Sequence, residues 1–118
     1  MITATCHCGA VQMEIAEPPE RLTSCNCSIC RRLGTLWAYY RPDQVTFRTP
    51  SEATAAYLWG DRTLELHHCR ICGCTTHWQG VDKTVERMGV NARLMAPDVI
   101  AAVPVRKLDG AETWTYLD

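Results

Sequence analysis

The residues in this chain best suited to chemistry are its eight cysteines. They fall into three tight clusters: Cys6 and Cys8; Cys25, Cys27 and Cys30; and Cys69, Cys72 and Cys74. Cysteines one or two positions apart can aim both sulfurs at one ion from a single backbone knuckle. Two such pairs complete a tetrahedron with Zn–S distances of about 2.3 Å. Two simpler readings compete: free cysteines packed as small hydrophobes, and a disulfide framework of the kind secreted proteins use. Packing alone does not produce three clusters at ligand spacing. The amino terminus, Met-Ile-Thr-Ala-Thr-Cys, lacks the basic start and apolar run of an export signal. The expectation is therefore a cytoplasmic protein whose thiolates bind metal, with zinc as the metal and iron as the alternative at a four-thiolate site.

How the ligands divide is left open by spacing. One division pairs Cys6 and Cys8 with Cys69 and Cys72, closing a loop of some sixty residues. A clip over so long a loop removes much unfolded-chain entropy, and a four-thiolate site of this kind is closed and structural. It leaves Cys25, Cys27 and Cys30 as a local set in Ser24-Cys-Asn-Cys-Ser-Ile-Cys-Arg-Arg. Three thiolates leave one coordination position free, and a free position separates catalytic zinc from structural zinc. If Cys74 reaches that second ion, the site is closed as well.

The elements that must position these clusters read mainly as short strands. Val11, Met13 and Ile15 alternate with polar residues up to Pro18-Pro19. Leu36–Tyr40 and Val45–Phe47 are further strands, separated by Pro42-Asp43. Ala55–Trp59, the turn Gly60-Asp61 and the alternating Leu64–His67 predict a hairpin that delivers the chain to Cys69. Thr75–Trp78, Val85–Val90, Val103–Leu108 and Thr113–Leu117 are expected as strands too. Helix is expected only over Ser28–Leu33, closed by Gly34, and over Ala96–Ala101, where Pro97 suits a first helical position. The fold class is mainly β: a small zinc-pinned single domain, residues 1–118, with one or two short helices.

Composition narrows the function classes. The chain is 47% hydrophobic and 21% charged, with a formal net charge of −1. Nucleic-acid and membrane-surface binders carry a clear basic excess, which is missing here. No apolar run approaches the ~20 residues of a membrane span. At 118 residues the chain can bury a core without covalent staples.

Three stretches carry a resemblance: Cys6-His7-Cys8-Gly9, Ser24 to Arg31, and His68 to Gly73. In this order and spacing they resemble the glutathione-dependent formaldehyde-activating enzyme family, which also includes the centromere protein V group. Gly89-Val90-Asn91-Ala92-Arg93-Leu94 resembles the segment that follows the last cluster in many members. The resemblance implies an Mss4-like fold. It assigns Cys6, Cys8, Cys69 and Cys72 to a structural zinc, and Cys25, Cys27 and Cys30 to the zinc associated with activity. It implies a carbon–sulfur lyase-like reaction joining glutathione and formaldehyde as S-hydroxymethylglutathione, or a related thiol adduct. Cys74 stands where many members carry a small polar residue.

Two zinc ions are thus expected, one structural and one catalytic, with a small thiol such as glutathione or its adduct as partner. A homo-oligomer is compatible with this reading. Three thiolates on Zn²⁺ leave a mild Lewis acid, better suited to holding a fourth thiol as thiolate than to making hydroxide. Arg31 and Arg32 follow the third ligand and are candidates for the substrate carboxylates, since guanidinium pairs well with carboxylate; ordinary surface arginine is the competing reading. His7, His67, His68 and His77 flank the clusters, but eight thiols already supply two spheres, so supporting or surface roles are expected. Trp37, Tyr39, Tyr40, Trp59 and Trp78 are expected in the core, with one or two lining a pocket. The competing functions are a zinc module that binds another protein through a fold with both sites closed, and a thiol-redox or metal-storage role using Cys74.

Overall fold

The computed structural model describes residues 1–118. The chain forms ten strands in two sheets, with two short helices. The strands are β1 (Ile2–Thr5), β2 (Gln12–Ile15), β3 (Leu22–Cys25), β4 (Trp37–Tyr40), β5 (Val45–Phe47), β6 (Thr54–Tyr57), β7 (Leu64–Cys69), β8 (Thr75–Gly80), β9 (Met88–Asn91) and β10 (Val105–Leu108). The helices are α1 (Cys30–Leu33) and α2 (Pro97–Ala101). The smaller sheet has the order β1-β2-β5 and the larger β10-β3-β4-β9-β8-β7-β6. Every neighbouring pair is antiparallel except β10 with β3. The fold is mainly β, as the alternating pattern predicts.

The core lies between the two sheets. Ala4, Met13, Ile15 and Val45 from the smaller sheet meet Leu22, Ala38, Tyr40, Met88 and Val90 from the larger. Val99, Ile100 and Val103 of α2 and the chain after it pack against its margin. Successive strand residues face opposite ways, and in β4 that alternation does two jobs. Ala38 and Tyr40 enter the core, while Trp37 and Tyr39 turn to the other face and line a cavity.

Several elements match the sequence reading. The β6–β7 hairpin pairs Thr54 with Cys69 and Tyr57 with Leu66. Pro97 opens α2, and Gly34 closes α1 in the left-handed region at φ 68°, its N–H donating to the Cys30 carbonyl. Others differ. The strand expected over Val85–Val90 begins only at Met88, because Asp82 caps a turn through the Thr84 N–H and hydroxyl. The strand expected over Thr113–Leu117 is reduced to one bridge, Leu108 with Tyr116, and Trp114 sits at φ 58°. β1 and β3 have no counterpart in the expected elements.

Candidate metal centre

Sequence brings each pair of cysteines to a knuckle for a local reason. After β1 the chain turns through Cys6-His7-Cys8-Gly9, the Gly9 N–H bonding the Cys6 carbonyl at 3.1 Å with Gly9 at φ 84°. The stretch Cys69-Arg70-Ile71-Cys72-Gly73 repeats the device: the Gly73 N–H bonds the Cys69 carbonyl at 3.0 Å and Gly73 has φ 79°. A positive φ is costly for any residue with a Cβ, which is why glycine follows each knuckle. Backbone N–H groups also point at the sulfurs: Val11 to Cys6 Sγ at 3.3 Å, and Ile71 and Cys72 to Cys69 Sγ at 3.4 and 3.5 Å. Hydrogen bonds to the charged form favour thiolate. The N–H groups of Cys74 and Cys8 accordingly pull the Cys72 thiol down to about 5.

The four sulfurs of Cys6, Cys8, Cys69 and Cys72 lie within 4.8 Å of one another, and all eight cysteines are free thiols. Cys8 Sγ is 3.7 Å from Cys6 Sγ and 3.6 Å from Cys69 Sγ. A tetrahedron with Zn–S of about 2.3 Å has S···S edges of about 3.8 Å, so the donor set fits a four-thiolate ion. A disulfide, at about 2.05 Å, does not fit these separations.

Cys25, Cys27 and Cys30 form a second group, their sulfurs also within 4.8 Å of one another. Cys25 ends β3, and α1 begins at Cys30, its first turn set by the Arg31 N–H on the Cys27 carbonyl at 3.1 Å. The Cys30 N–H donates to Cys27 Sγ at 3.4 Å, and the indole Nε1–H of Trp37 to Cys30 Sγ at 3.4 Å. Burial pushes the Cys30 thiol up to about 12 and raises Cys25 as well. Cys27 is lowered: burial opposes ionisation there, but the Cys30 N–H and the neighbouring thiols outweigh it. Two buried thiols and a half-buried one this close cannot all ionise without a cation between them, and the donor set fits a soft divalent metal.

The structure places Cys74 beside the first cluster. It packs there against Cys6, Val11 and Cys69 and lies outside both sulfur groups. The His7 N–H pulls its thiol down, but burial and the thiols of Cys72 and Cys6 prevail and raise it. The three-sulfur group therefore receives no fourth sulfur from this chain.

A cavity of about 640 Å³ opens over that second group, with Cys25, Cys27 and Cys30 in its lining. Arg31 and Arg32 are not among its lining residues. They sit exposed on α1, and Arg32 Nη1 donates to the Ser28 carbonyl at 2.7 Å. α1 turns both guanidinium groups away from the sulfurs whose sequence neighbours they are. The cavity's cation is Arg87, stacked 4.0 Å over the Tyr39 ring. Trp37, Tyr39, Trp59 and Trp78 line the cavity, whereas Tyr40 faces the core. Trp78 lies across β9 at Gly89, where an added Cβ would collide with the indole.

Residues far along the chain brace the second group. Asn91 Oδ1 accepts from the N–H groups of Arg93 and Leu36 at 3.2 and 3.4 Å, and Nδ2 donates to the Thr75 carbonyl at 2.8 Å. Arg93 Nε donates to the Gly34 carbonyl at 2.5 Å, fixing the end of α1. The histidines stay off both clusters' sulfurs. His77 is buried against Phe47 and stacks on His67 at 4.3 Å, and burial pushes it down to about 3.

The family model of the glutathione-dependent formaldehyde-activating enzyme matches residues 1–108. The chain belongs to this family. A solved Rhodobacter sphaeroides protein is similar: 33% identical, with a TM-score of 0.71, covering 87% of this chain and 98% of its own. The family stretch contains both sulfur groups, Arg87 and Asn91, and ends at Leu108. Three cavity residues, Gly110, Trp114 and Tyr116, lie beyond it. No helix of the family member is long and apolar enough to cross a membrane.

Proposed function

We propose that this protein is a zinc-dependent carbon–sulfur lyase-like enzyme that joins a thiol, glutathione being the family's, to formaldehyde or a related carbonyl. The observation carrying the reading is the pairing of a four-sulfur group with a three-sulfur group, the second opening onto a cavity of about 640 Å³. The four-sulfur group is the structural site in this reading. The three-sulfur group is the working one, with Cys25, Cys27 and Cys30 as ligands and the fourth position left to the substrate thiol.

A zinc ion held by the three sulfurs would lower the pKa of an incoming thiol and hold it as thiolate. The chain supplies the rest. Trp37 fixes Cys30 through its N–H. Arg87, the cation in the lining, takes a substrate carboxylate, the part that sequence position gives to Arg31 and Arg32. Burial pushes the Tyr39 phenol up to about 12, against the pull of Thr23, so it stays protonated and can donate a hydrogen bond to the developing alkoxide. The apolar walls exclude water and strengthen these interactions.

The test is the exchange rate of ¹³C-formaldehyde between its free and glutathione-bound forms, followed by NMR with and without protein. Acceleration by the zinc-loaded wild type, lost in Cys27→Ser, supports an enzyme. No acceleration by a protein holding two zinc ions would return the function to a protein-interaction module. Eight free thiols in one small chain also favour a reducing compartment, which fits the cytoplasm.

A further inference from the structure

All four tryptophans of the chain line one cavity, the one over the three-sulfur group, together with Tyr39 and Tyr116. Core packing does not require this: Trp59 is 42% exposed and Trp114 70% exposed. Cavities of about 300–1,000 Å³ hold ligands of drug size; this one, at about 640 Å³, has room for the thiol and adds walls that carry six aromatic side chains. Tyr39 and Trp78 already meet edge to face, with centroids 6.1 Å apart and planes at 62°. That is the arrangement aromatic rings prefer, and a further ring can extend it.

One wall of the cavity is built by the tail Asp109–Asp118, beyond the stretch that matches the family. The tail is tied to the metal loop itself. Asn26, between Cys25 and Cys27, donates from Nδ2 to Asp109 Oδ1 and accepts the Ala111 N–H, both at 3.0 Å. Gly110 lies so close to the loop that an added Cβ would sit 2.5 Å from Cys25 Sγ. The Tyr116 hydroxyl is 3.0 Å from Thr23 Oγ1, and the Arg106 guanidinium lies 3.9 Å over the Tyr116 ring. Trp114 is held at φ 58°, a conformation bulky residues seldom take, by its N–H on the Asp109 carbonyl at 2.7 Å. The exposed indole is thus placed by its surroundings and not left loose.

We propose that the cavity takes the thiol adduct of an aromatic aldehyde, and that the tail Asp109–Asp118 is the element that selects the aryl group. The proposal rests on the thiol-adduct reading above and names its carbonyl partner. In the addition the thiolate electron pair forms the C–S bond and the C=O π pair moves onto oxygen. The proton given up by the thiol ends on that oxygen, so nothing is oxidised or reduced. The ring of the aldehyde packs among Trp59, Trp78 and Trp114, and the thiol's carboxylate reaches Arg87.

Two measurements test this. The first is the ratio of kcat/KM for benzaldehyde to that for formaldehyde, each with glutathione. Intrinsic carbonyl reactivity cancels when the ratio is compared between proteins, and Trp114→Ala should lower it roughly tenfold from the wild-type value. A ratio unmoved in the variant overturns the proposal. The second is calorimetric binding of two inert thioethers, S-benzylglutathione and S-methylglutathione, which reads recognition without turnover. The benzyl compound should bind roughly tenfold tighter, with most of that margin lost in Trp114→Ala. Equal affinities sink aryl selection whatever the turnover shows. Tight benzyl binding with no turnover of any aldehyde supports aryl selection and overturns the enzyme reading alone.

Discussion

Replacing Gly110 with alanine perturbs the contact between the tail and the metal loop at one atom. The new Cβ would lie 2.5 Å from Cys25 Sγ and 3.3 Å from Cys27 Cβ. The first contact is about 1 Å inside the ~3.5 Å at which non-bonded heavy atoms begin to attract. Gly110 is outside the left-handed region, so the effect is steric and not a matter of backbone strain. Relief requires Cys25 to move off its sulfur partners or the tail to lift off Asn26. Lifting breaks the two Asn26 hydrogen bonds, each worth about 0.5–1.5 kcal/mol. Overpacking of this kind costs about 1–3 kcal/mol in total. Denaturant titration at saturating zinc should therefore show a loss of that size, with Tm lower by roughly 3–6 °C per kcal/mol. Chelator competition should show the second zinc released first while the first is retained. Wild-type stability together with unchanged retention of both ions would refute the tail's packing on Cys25.

Two further predictions follow from the bracing around the site, and two concern titrating side chains away from it. Trp37→Phe removes the N–H on Cys30 Sγ and should weaken the second zinc about tenfold by chelator competition, leaving the first unaffected. Asn91→Ala leaves three backbone groups without their partner, the Leu36 N–H just ahead of β4, the Thr75 carbonyl of β8 and the Arg93 N–H, and should cost about 2–4 kcal/mol in denaturant unfolding. His77 is pushed down from 6.5 to about 3 by burial, so the unfolded chain binds the extra proton first. Its contribution to stability is complete above pH 6.5 and is lost as pH falls toward 3, with a slope of up to about 1.4 kcal/mol per pH unit. His77→Leu should flatten the dependence of unfolding free energy on pH between 6 and 4, and an unchanged slope would exclude that role. Glu65 adds loss at lower pH: Gln79, His67 and Lys83 hold it down to about 2 against burial, so its share disappears between 4.5 and 2.

Much of the site is local in sequence, and that is why spacing exposes it. A knuckle is made by two cysteines and a following glycine, so Cys6-His7-Cys8-Gly9 and Cys69 to Gly73 carry their geometry with them. Gly34 and Pro97 mark helix ends for the same reason. β3 is harder to read: Leu22-Thr23-Ser24-Cys25 lacks alternation because Leu22 and Thr23 are both buried. Adjacency in sequence also misdirects. Arg31 follows Cys30 but α1 turns it outward, while Arg87 reaches the cavity because β9 pairs with β4 and brings it over Tyr39. The partition of the sulfurs and the place of Cys74 depend on β7 closing against the first knuckle, a contact across about sixty residues. The tail is the least legible part. Thr113–Leu117 alternates like a strand, yet Asp109 and Asn26 bend it into the wall beside Cys25.

The measurement that bears most directly on the two-site account is sulfur coordination by zinc-edge X-ray absorption, with and without glutathione. One group offers four sulfurs and the other three, so the account predicts an average of 3.5 sulfurs per zinc in the protein alone. Glutathione should raise that average to four as its thiol completes the second shell. Four sulfurs per zinc already present without thiol, and unchanged on adding it, would contradict an open second site.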